Sequence, residues 1–446
     1  MSNYSWSHQI APNTLNIKKS ILEWFGIILL LLFSFLNNFT LLISLLLLLL
    51  LLLQREIGAI KIINIITLRT IINPGIAVSI SEYQNLKWLI LFGCSIYLLF
   101  SYFKLGKKEV KRIKGILILV SLFTVYNIAV ALLFSSLPII AIFKLMSYVV
   151  IFAGVLIGVG YTFNKFNWIK WMFNLFKLLM VISFFMISLP VSYLRNGYSF
   201  QGLTNHPNMF GIFSVLFIAL LISFSNTSKE SLNNKFFLIF SSSLVLFMVT
   251  LSKSRTALIS CLILVLLYAL FSNQGKISKI IIAVFSSIGF IFIFIGTNIS
   301  NFIMEFLYKG QSQGENLLYS RMNQIESLTE NFYRSPWFGN GFAVPVLPYR
   351  SFEFSSEFVV EPGNIILAVL SYSGIFGFLL FILYLVRIFW LNKKYFTIIC
   401  FLPISTLLIS MGEMVFFSSN NIGIWCYMFL AIYVFFIPER INLKIN

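Results

Sequence analysis

KLGKKEVKRIKGILILVSLFTVYNIAVALLF, residues 104–134, decides the fold. Lys104, Lys107, Lys108, Lys111, Arg112 and Lys114 crowd its first third, and residues 115–134 then run without a charge. A bilayer-crossing helix needs roughly 20 mostly apolar residues, so 115–134 reads as a membrane span. Lys and Arg concentrate in cytoplasmic loops, so the cluster before it fixes that loop inside.

The same pattern repeats along the chain. Apolar runs predict spans near 21–36, 39–53, 57–80, 86–103, 115–134, 138–160, 168–190, 208–225, 235–251, 256–272, 279–298, 362–388, 395–411 and 421–437. The expected architecture is an all-α polytopic membrane protein of about fourteen transmembrane helices. It reads as a single integral membrane domain, 1–446, with one large, partly helical extracytoplasmic loop at 299–361. The 57–80 segment carries Lys61, Arg69 and an Asn73-Pro74-Gly75 break. Dropping it would move Lys18, Lys19 and Arg55 to the outside, against the positive-inside rule. With it, both termini lie inside. Residues 1–20 are polar, without a small-residue cleavage site, and do not read as a removable signal peptide.

Composition excludes a water-soluble protein. Of 446 residues 59% are hydrophobic and 10% charged, whereas a soluble domain is about a quarter charged. The formal net charge of +18 is mostly topology, and nucleic-acid binding is a poor explanation for it. All 14 acidic residues are glutamates. The absence of aspartate removes a DxD nucleotide-sugar site, a Walker B carboxylate, a Ser-His-Asp triad and an Asp-centred Mg²⁺ cluster. With only His8 and His206, a multi-His metal site is also out, and no cofactor is expected. Cys94, Cys261, Cys400 and Cys426 sit in apolar runs and read as small core hydrophobes.

Reactive-looking residues gather on the expected outer face: Arg195, His206, Lys253, Arg255, Arg321 and Glu361. Four segments carry them. The first runs from Arg195 through Gln201-Gly202-Leu203-Thr204-Asn205-His206-Pro207-Asn208, a polar loop entering a span at Pro207. It is either a functional loop or a helix capped by Asn205 with incidental polar neighbours. The second, Ser252-Lys253-Ser254-Arg255-Thr256, is a tight connection between apolar helices. Its backbone N–H groups and guanidinium can converge on an anion, the alternative being cations that snorkel to lipid headgroups.

The third is the loop 299–361, in which 315–332 predicts an amphipathic helix stopped by Pro336. Arg321, at the edge of its apolar stripe, either points into a crevice over the membrane or solvates a surface beside Glu326. Gly339-Asn340-Gly341 follows as a tight turn. The fourth, Glu361-Pro362-Gly363-Asn364, opens the 362–388 span. There Glu361 lies in the N-cap region, a complete structural role that rivals any catalytic one. Within spans Arg69, Lys144 and Lys177 each cost about 2.5–3.5 kcal/mol to insert, so they should face a cavity or a partner. Lys144, near the outer surface, is a candidate to join the same site.

Fixed guanidiniums at such a face hold an anion bidentately and offset charge that develops on it. A group attacking there through a hydroxyl needs a carboxylate or imidazole within reach. Arg255 and Arg321 are the candidates for the anion, with Arg195, Lys253 and Lys144 to help. Glu361 is the candidate base, with His206 second. Asn208 and Asn364 are candidates for further polar contacts with a substrate.

Phe200-Gln201-Gly202…Asn205-His206-Pro207-Asn208, Ser254-Arg255-Thr256, Arg321 with Pro336-Trp337-Phe338-Gly339-Asn340-Gly341, and Glu361, Asn364, Gly374, Gly377 follow one another in an order that resembles the bacterial O-antigen polymerase and ligase superfamily, the Wzy-type polymerases and their ligase relatives. The resemblance covers roughly residues 195–390. It implies a metal-independent, inverting glycosyltransferase with a GT-C-like helical membrane fold, in the bacterial cytoplasmic membrane with its site facing outward. Its substrates would be undecaprenyl-pyrophosphate-linked oligosaccharides, so the resemblance implies that the anion is the donor pyrophosphate and that Asn208 and Asn364 hold the glycan; its implied partners are a chain-length regulator and a flippase. Family ligases carry a histidine where this chain has Glu361, so the departure resembles the capsule and exopolysaccharide polymerase branch. An O-antigen ligase and a lipid-linked glycan transporter are the alternatives. The polar groups gather at one face without an internal repeat, which is unlike a transporter.

Overall fold

The computed structural model describes residues 14–227, 233–271, 319–344 and 363–438. Fifteen α-helices run through them: α1 (Thr14–Leu36), α2 (Asn38–Leu48), α3 (Glu56–Thr70), α4 (Gln84–Phe100), α5 (Lys107–Phe134), α6 (Pro138–Thr162), α7 (Trp168–Phe185), α8 (Pro207–Thr227), α9 (Asn233–Leu251), α10 (Arg255–Phe271), α11 (Tyr319–Arg334), α12 (Ile365–Leu391), α13 (Phe396–Ile399), α14 (Phe401–Ser410) and α15 (Gly423–Phe435). No strand occurs among these residues beyond one antiparallel bridge, Ile72 to Thr204.

The helices form because the apolar runs leave each backbone group no partner but its own turn. Six segments are long and apolar enough to cross a membrane: Ile80–Lys104, which contains α4, and the helices α5, α6, α7, α8 and α12. The number rises to seven if the bent pair at 393–410 counts as one span. Five further apolar helices are shorter: 21–36, 38–54, 236–251, 255–271 and 423–435. At 1.5 Å per residue a 16-residue helix covers about 24 Å, short of the roughly 30 Å hydrocarbon core. The chain is thus an all-helical membrane protein, with fewer full-length spans among the described residues than the apolar runs predict. The expected 279–298 span lies outside the described residues, as does most of the 299–361 loop.

Two expected spans are broken. α3 stops at Thr70 instead of running toward residue 80. Pro74 biases Asn73 away from helical geometry, and the chain turns to pair Ile72 with Thr204. The expected 395–411 span bends by 71° between Ile399 and Phe401. The ring of Pro403 conflicts with the carbonyl four residues before it, at Ile399.

The helices have two ends. One, here the lysine end, gathers Glu56, Lys104 and Arg112: Lys104 pairs with Glu56 at 2.7 Å, and Arg112 donates to Asn392 Oδ1 at 3.1 Å. The other, the site end, gathers the 71–83, 186–206, 252–254, 335–344 and 411–422 connections. α15 is buried along its whole length and forms the axis of the bundle, touching α6, α12, α14 and α3. Aromatic rings fill the space around it, with Tyr148, Phe152 and Phe416 all within 6.5 Å of Tyr427.

Candidate functional site

Asn73, fully buried, organises the entry to α8. Its Nδ2 donates to the Val191 and Gly202 carbonyls at 2.8 and 3.0 Å, tying the 186–206 loop to the end of α3. The Asn205 N–H donates to Ile71 O at 2.7 Å and the Phe200 N–H to Leu251 O at 3.0 Å. Asn205 does not cap α8, because its Oδ1 is buried without a partner among the described residues. His206 takes that place, its Nδ1 accepting the Asn208 N–H at 3.0 Å. Asn208 then reaches across the bundle, donating from Nδ2 to Glu413 Oε1 at 2.9 Å.

The α9–α10 connection is as tight as its sequence predicts. α9 ends at Leu251 and α10 begins at Arg255, with Lys253 in the left-handed region at φ 53°. The Lys253 ammonium lies 4.8 Å from the centre of the Tyr198 ring. Ser254 packs against Gly211 of α8 and Thr256 against Gly412, so closely that a methyl group at either glycine would collide. Arg255 neighbours Thr256, and Glu413 neighbours Gly412. The packing therefore brings the N-terminus of α10 close to α8 and to the connection that carries Glu413, whose carboxylate takes the Asn208 amide. A helix N-terminus favours anions through its unpaired N–H groups and dipole.

A second group of connections meets at α12. The Pro336–Gly341 turn lies against a break in this helix at Gly374, whose φ of 60° and ψ of −168° are not helical. The break frees backbone groups that the turn satisfies: Ile375 N–H donates to Pro336 O at 2.9 Å, Asn340 N–H to Ser371 O at 3.1 Å and Gly341 N–H to Tyr372 O at 3.0 Å. A Cβ at Gly374 would run into the Trp337 carbonyl, and one at Gly339 into Tyr372. Tyr126 on α5 closes the junction, donating to Ser373 O at 2.9 Å. Just past the turn, Ala343 O accepts from Lys144 Nζ of α6 at 2.8 Å.

The connection carrying Lys253 and Arg255 thus packs on α8 at Gly211, and His206 and Asn208 stand at the start of that helix, where the 186–206 loop enters it. Arg195 is exposed on the rim of the same loop, its N–H held by Gln201 Oε1 at 3.1 Å. Lys144 lies on α6, across the 411–422 connection. Arg321 falls in the first turn of α11, a helix that begins at Tyr319 and packs on α12; its side chain lies outside the described residues. Glu361 also lies outside them. The N-cap of α12 is Asn364, whose Oδ1 accepts the Ile366 and Leu367 N–H groups at 2.9 and 3.2 Å, so the helix starts at Ile365 and not at 362. Asn364 has a structural role, whatever else it binds. Lys177 is exposed, its ammonium 5.7 Å from the Phe173 ring. Arg69 is buried with neutral partners, Ser34 and the Val78 carbonyl.

Sequence reasoning missed Glu413. It is a single acid between two apolar helices, and nothing local separates it from a helix end. Its distance from the Asn208 motif along the chain hid the pairing. Among the described residues no group of His, Cys and Glu side chains could hold a metal ion.

No curated protein matches the chain. Residues 240–382, about a third of the chain, match the family model described as O-Antigen ligase. The matched stretch includes the 252–254 connection, Arg255, α11, the Pro336–Gly341 turn and the Gly374 break, and stops short of Glu413. Residues 240–382 are thus similar to the O-antigen ligase family, which supports a place in the O-antigen ligase and polymerase superfamily.

Proposed function

We propose that the protein is a polysaccharide polymerase. It joins undecaprenyl-pyrophosphate-linked repeat units into O-antigen, capsule or exopolysaccharide chains on the outer face of the bacterial cytoplasmic membrane. The observation that carries this reading is the packing of the Ser254-Arg255-Thr256 connection, inside the family-matched stretch, onto Gly211 and Gly412, the first one turn along α8 from Asn208 and the second next to Glu413 in the chain. The positive-inside rule puts the lysine end in the cytoplasm and this locus outside.

In this reading Arg255 and Arg321 bind the donor pyrophosphate and offset the charge that grows on it as the glycosidic bond breaks. The N-terminus of α10 adds its dipole, and Lys253 and Arg195 raise the local positive potential. A general base takes the proton of the attacking sugar hydroxyl. His206 is poorly set to do so, because a neutral imidazole whose Nδ1 accepts an N–H carries its proton on Nε2, which then donates. In this reading the base is Glu361, while His206 and Asn208 contribute hydrogen bonds to the glycan. Glu413, oriented by Asn208, is the rival carboxylate, and the two separate on substitution.

The test is the size distribution of surface polysaccharide in cells lacking the protein, complemented at equal membrane abundance. Wild type restores the long-chain ladder, whereas Arg255→Ala and Glu361→Gln leave single repeat units. A ladder restored by both variants overturns the assignment. Long chains that persist on the lipid carrier without transfer make the protein a ligase, and repeat units stranded in the cytoplasm make it a transporter. If Glu413→Gln abolishes polymer while Glu361→Gln does not, the base is Glu413.

A further inference from the structure

Three cationic side chains are almost fully buried among the described residues: Lys61 at 1%, Arg69 at 4% and Lys87 at 2% exposure. Lys61 has Glu23 and Gln54, and Arg69 has Ser34 and the Val78 carbonyl. Lys87 has no hydrogen bond or ion pair with any described residue. An uncompensated buried charge costs several kcal/mol. At 2% exposure almost the whole Lys87 side chain is covered, so its ammonium is not spread into bulk solvent as a freely snorkelling one would be.

Its position is fixed by the packing of α4 on α6. Gly154 lies against Ser95 and Gly158 against Leu98, so the two helices run parallel. Two turns back toward the site end, Trp88 meets the Phe143 ring at 6.1 Å. Lys87 is therefore level with the first two turns of α6, which carry Lys144. The Ser419 hydroxyl donates to Ser147 Oγ at 3.0 Å, and Ser147 Oγ in turn to Lys144 O at 2.8 Å. Ser419 belongs to the 411–422 connection that also carries Glu413. That connection is thus tied to α8 through Asn208 and to α6 through Ser147, with Arg255 on the α8 side and the two lysines on the α6 side.

We propose that Lys87, with Lys144, binds the pyrophosphate of the second lipid-linked substrate, the acceptor. This rests on the polymerase reading, in which both reactants arrive on a lipid carrier. Each needs a cationic seat near headgroup depth, and Arg255 with Arg321 seats only the donor. At 1.5 Å per residue Lys87 lies about 5 Å, and Lys144 about 9 Å, inside the start of its helix. That is within a lysine side chain's reach of a lipid-borne phosphate.

The test uses the full chain reconstituted in vesicles, with a long-chain lipid-linked donor held fixed and a single lipid-linked repeat unit varied. In Lys87→Met the KM for the acceptor rises at least tenfold, the KM for the donor stays within twofold, and the rate recovers at saturating acceptor. Lys87→Arg stays within threefold of wild type on both. Geranylgeranyl pyrophosphate competes with the acceptor in wild type and loses potency in Lys87→Met. An unchanged acceptor KM, or both KM values rising together, overturns the inference and leaves the polymerase reading standing. Equal competition by inorganic pyrophosphate also overturns it, by making the site one for a free anion. If wild type elongates no donor at all, the polymerase reading falls and the inference with it.

Discussion

Lys61 and Arg69 sit on the same helix and are equally buried, yet the two ends of the bundle treat them differently. Toward the lysine end, Lys61 meets the Glu23 carboxylate at 2.5 Å, donates to Gln54 Oε1 at 2.8 Å and lies 4.5 Å from the Phe166 ring. At the site end, Arg69 has no carboxylate among the described residues; its donors go to the Ser34 hydroxyl, the Ser34 carbonyl and the Val78 carbonyl. The contrast extends beyond α3. Asparagine amides on carbonyls serve both ends, Asn73 at one and Asn392 at the other, but the lysine end adds buried or half-buried ion pairs such as Lys104–Glu56. Ion pairs cancel charge where they stabilise. Hydrogen bonds to carbonyls hold a cation in place and leave its charge intact, which suits the anion-binding role proposed for the site end.

Substitutions at the two ends break or sharpen this contrast. The largest effect is expected at the site end from Gly374→Ala, which adds a left-handed-region penalty to a backbone collision and costs about 4 kcal/mol. Thermal unfolding in detergent measures it, and a wild-type midpoint would mean that the turn at Pro336–Gly341 does not hold the break. At the lysine end, Glu23→Gln leaves Lys61 buried without its counterion and costs about 3 kcal/mol. Adding Lys61→Met to that variant recovers most of the loss; if the double variant is no better than the single, charge is not what Glu23 supplies. Asn73→Ala strands the Val191 and Gly202 carbonyls and costs about 2 kcal/mol. Its distinguishing readout is faster proteolysis in the 186–206 loop, with the lysine end unchanged. The smallest effect belongs to Glu56→Gln, because Lys104 is half exposed. Its small shift in midpoint vanishes in high salt, while that of Glu23→Gln persists.

Much of this was legible in the residues and some of it could not be. Uncharged apolar runs gave the helices and Gly339-Asn340-Gly341 a turn, because each rests on local chemistry; Asn73-Pro74-Gly75 was legible as a break, but the helix before it ends at Thr70 and the 57–80 span does not form. The 252–254 connection and the start of α10 at Arg255 were readable for the same reason. Asn364, not Glu361, caps α12, a choice among neighbours that depends on where the helix begins. Glu413 was invisible because its partner Asn208 comes from another part of the chain. Lys87 reads as an ordinary lysine at the start of a helix, since only the packing of α4 on α6 buries it. The Gly374 break was missed because a glycine within an apolar run carries no mark of the turn that fills it.

That filled break has a consequence for how such a protein changes over generations. The bonds joining the Pro336–Gly341 turn to α12 run mostly from main chain to main chain, so beyond the glycines they ask for no particular side chain. The residues displayed around the junction can drift without loosening it. On the polymerase reading proposed above, a frame of this kind lets specificity for the sugars of a repeat unit be rewritten while the architecture stays put.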